Sequence, residues 1–189
     1  SSTPSVKYIL LDIEGTTTRI TFVHDILFPF SMERMESFVR ENESNETVAE
    51  AVQLTKETLI SEGLTKDPTL EDCISALKEW IEVDRKHPAL KTIQGLIWKE
   101  GYEKKAFQSH LYSDVKPAWE KWKKSGIRLG IYSSGSVGAQ KLLFKHTEFG
   151  DLTPWLSDHF DLKTGHKRDT QSYARIAEEI HGRYAIERD

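Results

Sequence analysis

The string LLDIEGTT sets two carboxylates, Asp12 and Glu14, two residues apart where an apolar run gives out. A carboxylate can attack phosphorus and carry the phosphoryl group as an aspartyl-phosphate. A second acid nearby can protonate the leaving oxygen, then activate the water that releases phosphate. Further along, Ser133 and Ser134 open the string SSGS directly after another apolar run, IRLGIY. Hydroxyls and turn amides of that kind suit phosphate oxygens, and Lys167, in GHK, adds a compact positive charge. Carboxylate and phosphate repel each other, so this chemistry asks for a divalent cation, of which Mg²⁺ is the usual partner for such oxygens. Taken singly, each feature has a plain structural reading. Asp12 and Glu14 could be a solvated turn, SSGS an N-cap, and Lys167 a surface lysine. Order and shared position argue otherwise.

That position follows from the elements. Tyr8 to Leu11 is a short continuous apolar run, which predicts a strand covered on both faces of a parallel sheet. Ile127 to Tyr132 predicts a second strand, and Phe160 to Leu162 a short third one, with helical periods between and after them. Strand alternating with helix implies a parallel sheet, and ligands bind outside the carboxyl ends of such strands. Asp12, Glu14, Ser133, Ser134 and Lys167 all fall at those ends.

Between the first strand and the second, the texture changes. Four helical periods follow one another, with Met32, Met35, Phe38 and Val39 on the first and Val48, Val52, Leu54 and Leu59 on the second. Ile74, Leu77 and Ile81 mark the third, and PALKTIQGLIWKEGYEKK is the fourth. In the last helical period of the chain, Tyr173, Ile176, Ala177 and Ile180 share a stripe. The expected organisation is therefore an α/β core over residues 1–20 and 109–189, with a helical cap over 21–108 placed where a lid would sit.

Composition narrows the class. The chain has 189 residues, 38% hydrophobic and 30% charged, with a formal net charge of -4. Basic and acidic residues are mixed along it, so no concentrated basic face is available for nucleic acid. No apolar run approaches the roughly 18 residues of a membrane span, and SSTPSVK has neither a charged leader nor an apolar signal core. Cys73 is the single cysteine, which rules out an internal disulfide and a cysteine-based zinc cluster. A cytoplasmic monomer, also compatible with the nucleus, is the expectation.

LLDIEGTT resembles the first signature of the haloacid dehalogenase superfamily, Asp-x-Asp-x-Thr, with Glu in the second acidic place. Joined by FVHDILFPF, IYSSGSVGAQKLLF and GHK ahead of QSYARIA, it resembles the enolase-phosphatase (acireductone synthase) family within that superfamily. The resemblance implies a Rossmann-like core with an inserted helical cap and a Mg²⁺ cofactor. It makes Asp12 the nucleophile and a metal ligand. Glu14 becomes the acid/base and contributes to the metal site, while Ser133, Ser134 and Lys167 take the substrate phosphate. The implied substrate is the small phosphorylated diketone 2,3-diketo-5-methylthiopentyl-1-phosphate, enolised and then hydrolysed to acireductone in methionine salvage. His24, Asp25 and Phe28, at the entry to the insert, are candidates to line the pocket, with Phe28 also suited to a core.

One departure accompanies the resemblance. The superfamily's late acidic motif follows an apolar strand, whereas this sequence ends IHGRYAIERD, with Glu187 and Asp189 as its last acids. The expectation is that the C-terminal part of the core is missing. The alternative function is then a catalytically impaired variant acting as a non-enzymatic binding or regulatory protein.

Overall fold

Three short strands form one parallel sheet in the order β1-β2-β3: Tyr8–Leu11, Arg128–Tyr132 and Asp158–Phe160. The structure, a computed structural model, describes residues 6–186, so Glu187 and Asp189 lie outside it. The parallel α/β architecture expected from the alternating strands and helices is the one adopted. Leu10 pairs with Gly130 and Gly130 with Asp158, which puts the carboxyl ends of all three strands on one edge.

Two strands differ from expectation. β1 is only partly covered along its whole length, because β2 takes the central place and buries its last four residues. β3 begins and ends two residues before the expected Phe160–Leu162. Its apolar content is a single Phe160 between a histidine and an aspartate, so the hydrophobic pattern carries little signal there.

Parallel pairing sets Leu10, Gly130 and Asp158 in one row facing helix α8 (Thr170–Tyr184). Ile176 and Ile180 pack on Tyr132 and Phe160 of that face, and Tyr173 stays 44% exposed with its ring edge on Tyr132. Asp158 is buried there. It accepts from the hydroxyls of Tyr8 (2.8 Å) and Tyr184 (2.9 Å) and is ion-paired with Arg183. Tyr8 reaches it by lying across Gly130, where an added Cβ would stand 2.0 Å from the phenol oxygen. The absent side chain is thus a packing requirement. Helix α6 (Val115–Lys124) leads into β2, and α7 (Val137–Lys145) with a 3-10 turn at Thr153–Trp155 connects β2 to β3.

The remaining elements are a short α1 (Ile20–Phe22), a π-helical turn at Val23–Leu27, and α2 (Phe28–Glu41), α3 (Glu46–Ser61), α4 (Leu70–Glu82) and α5 (Pro88–Glu103). The chain divides into two compact units, residues 1–22 with 108–189, and residues 23–107. The second unit has its own apolar core, built on Met35, Val39, Leu77, Ile93 and Ile97. Three of its helices begin at side-chain caps. Asn45 accepts from the Val48 amide, Thr69 and Asp72 cap each other reciprocally, and His87 accepts from the Ala89 amide ahead of Pro88. On α3 the buried stripe runs Val48, Ala51, Thr55, Leu59, so Leu54 is exposed where the sequence suggested core. The Thr55 hydroxyl answers its own burial by donating to the Ala51 carbonyl at 2.8 Å. Among the described residues no helix is long and apolar enough to cross a membrane.

Candidate active site

The first site residue is set by a knot of hydrogen bonds just past β1. The Ile13 carbonyl accepts from the amides of Thr16, Thr17 and Thr18 and from the Thr17 hydroxyl, at 3.0 to 3.3 Å. Gly15 turns the chain at φ 77°, in the left-handed region that glycine enters without strain, and its amide closes the loop on the Thr18 carbonyl at 2.8 Å. Thr17 and Thr18 are buried, while Glu14 projects into solvent. Asp12 is half-buried at the base of the loop, with Oδ1 accepting from the Ile13 amide at 2.7 Å. His110 braces the far side: its Nδ1 accepts from the Arg19 amide at 3.2 Å and lies 3.3 Å from the Thr18 hydroxyl.

At the end of β2, Ser133 is buried and its amide donates to the Phe160 carbonyl at the end of β3 (3.2 Å). Its hydroxyl oxygen accepts from Gln140 Nε2 at 3.1 Å. Ser136 caps α7 by accepting from the Ala139 amide at 3.2 Å, so SSGS is a helix entry as well as a strand exit. Asp161, directly after β3, is buried against the same helix start. It accepts from the amides of Val137 (3.3 Å) and Lys163 (2.9 Å).

Lys167 rides on the loop between β3 and α8. That loop is pinned from both sides: Tyr132 donates to the Gly165 carbonyl at 2.6 Å, Ser172 to the His166 carbonyl at 2.9 Å, and Arg175 to the Thr164 carbonyl at 2.8 Å. Gly165, at φ 148°, leaves no room for a side chain, since a Cβ would stand 2.0 Å from Ser172 Oγ. The lysine ammonium lies 5.9 Å from the centre of the Tyr132 ring and 2.5 Å from Asp12 Oδ2. Residues far apart in sequence, on the first and last loops of this sheet edge, therefore meet as an ion pair.

The chain matches the haloacid dehalogenase-like hydrolase family over residues 6–185. Enolase-phosphatase E1 of a Picosynechococcus species is 45% identical over 175 residues, 93% of this chain and 76% of the relative. The Drosophila grimshawi protein of the same name is 47% identical over 182 residues, 93% of this chain and 74% of the relative. Among solved structures, the UTR4 protein of Saccharomyces cerevisiae superposes with a TM-score of 0.72 at 34% identity, covering 92% of this chain and 75% of that one. The chain belongs to the enolase-phosphatase family of haloacid dehalogenase-like hydrolases.

Within this enolase-phosphatase fold, the expected site residues fall as follows. Asp12 and Lys167 are in contact. Ser133 and Ser134 follow β2 on the same sheet edge, Ser133 buried and Ser134 partly covered. Glu14 shares the Asp12 loop but is exposed. In the helical unit, His24 and Asp25 are exposed on the π-helical turn, and Phe28 is partly buried. The His24 ring meets Phe28 edge-on, and Phe28 stacks parallel to Trp98 with centroids 6.4 Å apart.

Four residues that shape the site carried no weight in the sequence reading: Tyr132, Gln140, Asp161 and Gly165. Asp161 had a signal. With β3 placed at Asp158–Phe160, it is the first residue after its strand, as Asp12 and Ser133 are after theirs. The two-residue misplacement of β3 concealed it.

Proposed function

We propose that the chain is a Mg²⁺-dependent enolase-phosphatase. It acts on 2,3-diketo-5-methylthiopentyl-1-phosphate, enolising the diketone and hydrolysing the phosphate to give acireductone. The observation that carries this reading is the Asp12–Lys167 contact of 2.5 Å at the carboxyl end of β1, in a chain of this family. It supports the reading because a carboxylate able to attack phosphorus and a cation able to bind phosphate lie at one point.

The proposed steps use this chain's own groups. Lys167, together with Ser133, Ser134 and the amides of the SSGS turn, holds the phosphate, and Lys167 exchanges its carboxylate partner for the phosphate oxygens. An Asp12 oxygen attacks phosphorus as the bond to the substrate's ester oxygen breaks, and Glu14 gives that oxygen a proton. Glu14 then takes a proton from water as the water oxygen attacks the aspartyl-phosphate, freeing phosphate and returning Asp12 to its carboxylate. The exposure of Glu14 suits a group that must reach both a leaving oxygen and solvent.

The donor set fits Mg²⁺. Asp12 and Glu14 offer only hard oxygens, and this ion commonly takes one or two carboxylates, keeping water and phosphate oxygens as its other ligands. Asp12 would hold it through its carboxylate and Glu14 through its backbone carbonyl, which leaves the Glu14 carboxyl free to carry a proton, and when bound the ion would offset the repulsion between carboxylate and phosphate. The Asp161 oxygens are already engaged by two backbone amides. A monomer in the cytoplasm is the proposed working form.

The test is to supply the diketone phosphate with Mg²⁺, following phosphate release and acireductone absorbance together, with mass spectrometry for a phosphoryl adduct on Asp12. Asp12→Asn should abolish release and adduct while the folded structure persists. Near-normal release from that variant would sink the nucleophile assignment. Release without acireductone would reduce the activity to a simple phosphatase.

A further inference from the structure

Gln140, in the first turn of α7, is 1% exposed and touches the candidate site through Ser133. Its Nε2 faces three oxygens: the Phe160 carbonyl at 2.7 Å, the Gly135 carbonyl at 3.0 Å and Ser133 Oγ at 3.1 Å. Two of these are carbonyls, which have no proton to give, so the side of the amide that meets them must be its NH₂. Turned over, the amide would set oxygen against oxygen in a buried place, at the cost of the bonds it now makes. The other end agrees. Oε1 lies 3.1 Å from His159 Nδ1, which donates to it. An amide oxygen only accepts, so Nδ1 carries the proton of this bond, and burial, which holds His159 below the ordinary histidine range, favours the neutral ring.

The orientation has a consequence for the serine. A hydroxyl has one proton and two lone pairs. An amide NH₂ can only donate, and its two protons are shared among three oxygens, so the Ser133 hydroxyl cannot give its own proton to Gln140 Nε2. The hydroxyl lies against the SSGS turn, 3.6 Å from where a Cβ on Gly135 would be. The Phe160 carbonyl serves as a shared anchor, taking the Ser133 amide and the Gln140 amide together, so strand ends and helix hold one geometry.

We propose that Gln140 is a positioning residue for phosphate recognition, fixing the Ser133 hydroxyl as a hydrogen-bond donor toward the substrate phosphate. This rests on the reading of Ser133 as a phosphate ligand. Gln140 touches no substrate atom and moves no proton. It removes the alternative in which Ser133 spends its proton on the side chain at position 140 and presents lone pairs to an anion.

The test is a double-mutant cycle read by inorganic phosphate, as a competitive inhibitor of monoester hydrolysis and by calorimetry with Mg²⁺ present. Gln140→Met should weaken phosphate by about tenfold, the scale of one hydrogen bond to a charged group, and raise KM more than it lowers kcat. In a Ser133→Ala background the same substitution should add nothing. Equal losses in both backgrounds, or a fall in melting temperature with phosphate affinity intact, would overturn the proposal and leave Gln140 a structural amide. If Ser133→Ala alone leaves phosphate affinity unchanged, Ser133 is not a ligand, and the proposal falls with it. Should Gln140→Met fail to fold, His159→Leu keeps both carbonyls partnered while removing the donor to Oε1. It should weaken phosphate by about threefold in the wild-type background and not at all beside Ser133→Ala. Equal losses in those two backgrounds would likewise overturn the proposal.

Discussion

Asp12 and Lys167 neutralise each other in the structure, yet the proposed chemistry uses them on opposite partners, one to attack phosphorus and the other to hold phosphate oxygens. Lys167→Ala should therefore weaken phosphate monoesters with and without the methylthio tail by a similar factor, measured as KM across both substrates. A change confined to tail discrimination would move the lysine out of the phosphate site. Glu14 is assigned a different duty, and Glu14→Gln should slow turnover by about 10² to 10⁴-fold, the range of general acid–base catalysis. Steady-state rates across pH check this; an unchanged rate and pH profile would exclude the role. Legibility in the sequence tracks how local each signal is. Asp12, Ser133 and Lys167 could be named as candidates because each sits beside an apolar run or in a family string. Gln140 could not. Its importance comes from carbonyls at Gly135 and Phe160 and a histidine on the neighbouring strand, none of which shares a sequence window with it.

At the scale of elements, helices were easier to foresee than strands. A run such as Ile74, Leu77, Ile81 repeats a buried stripe over several turns, and all three residues are buried on α4. On α3 the stripe ran through Thr55 rather than Leu54, because helical geometry decides the face and a threonine can satisfy its hydroxyl within the helix. β3 has only three residues, and its Asp158 is buried by two tyrosines and an arginine that come from other elements. Nothing in the string SDHFDL announces that. The same cluster yields a prediction. Gly130→Ala would push Tyr8 off Asp158, and overpacking of this kind costs about 1–3 kcal/mol. Urea unfolding should show that loss, and Gly130→Ala combined with Tyr8→Phe should lose less than the sum. Strict additivity would mean that Tyr8 does not cross over position 130.

Across the whole molecule, buried titratable groups set opposite edges to the stability curve. Tyr8 is held above the ordinary tyrosine range, first by burial and then by its bond to Asp158. Above pH about 10 the unfolded chain releases that proton while the folded chain keeps it, so stability should be full below that value and fall as pH rises. His159 and His87 are held below the ordinary histidine range, chiefly by burial. Below pH about 6.5 the unfolded chain gains protons that the folded one refuses, so stability should fall again as pH drops. Melting temperature against pH checks both limbs: Tyr8→Phe should flatten the alkaline one and His159→Asn the acid one, even where each lowers the plateau. The division of the chain at residues 22 and 108 carries a consequence of another kind, in the order of events during synthesis. Among the described strands β1 is made first, but its partner begins at Arg128, beyond the whole helical segment. Ile9, Leu10 and Leu11 must stay without a sheet until that segment has been translated, whereas residues 23–107 find their contacts among themselves. The strand that leads into Asp12 thus emerges before the other two described strands and is among the latest to pair. In that interval it is an apolar ribbon of the sort that chaperones grasp and that mispairs when they do not.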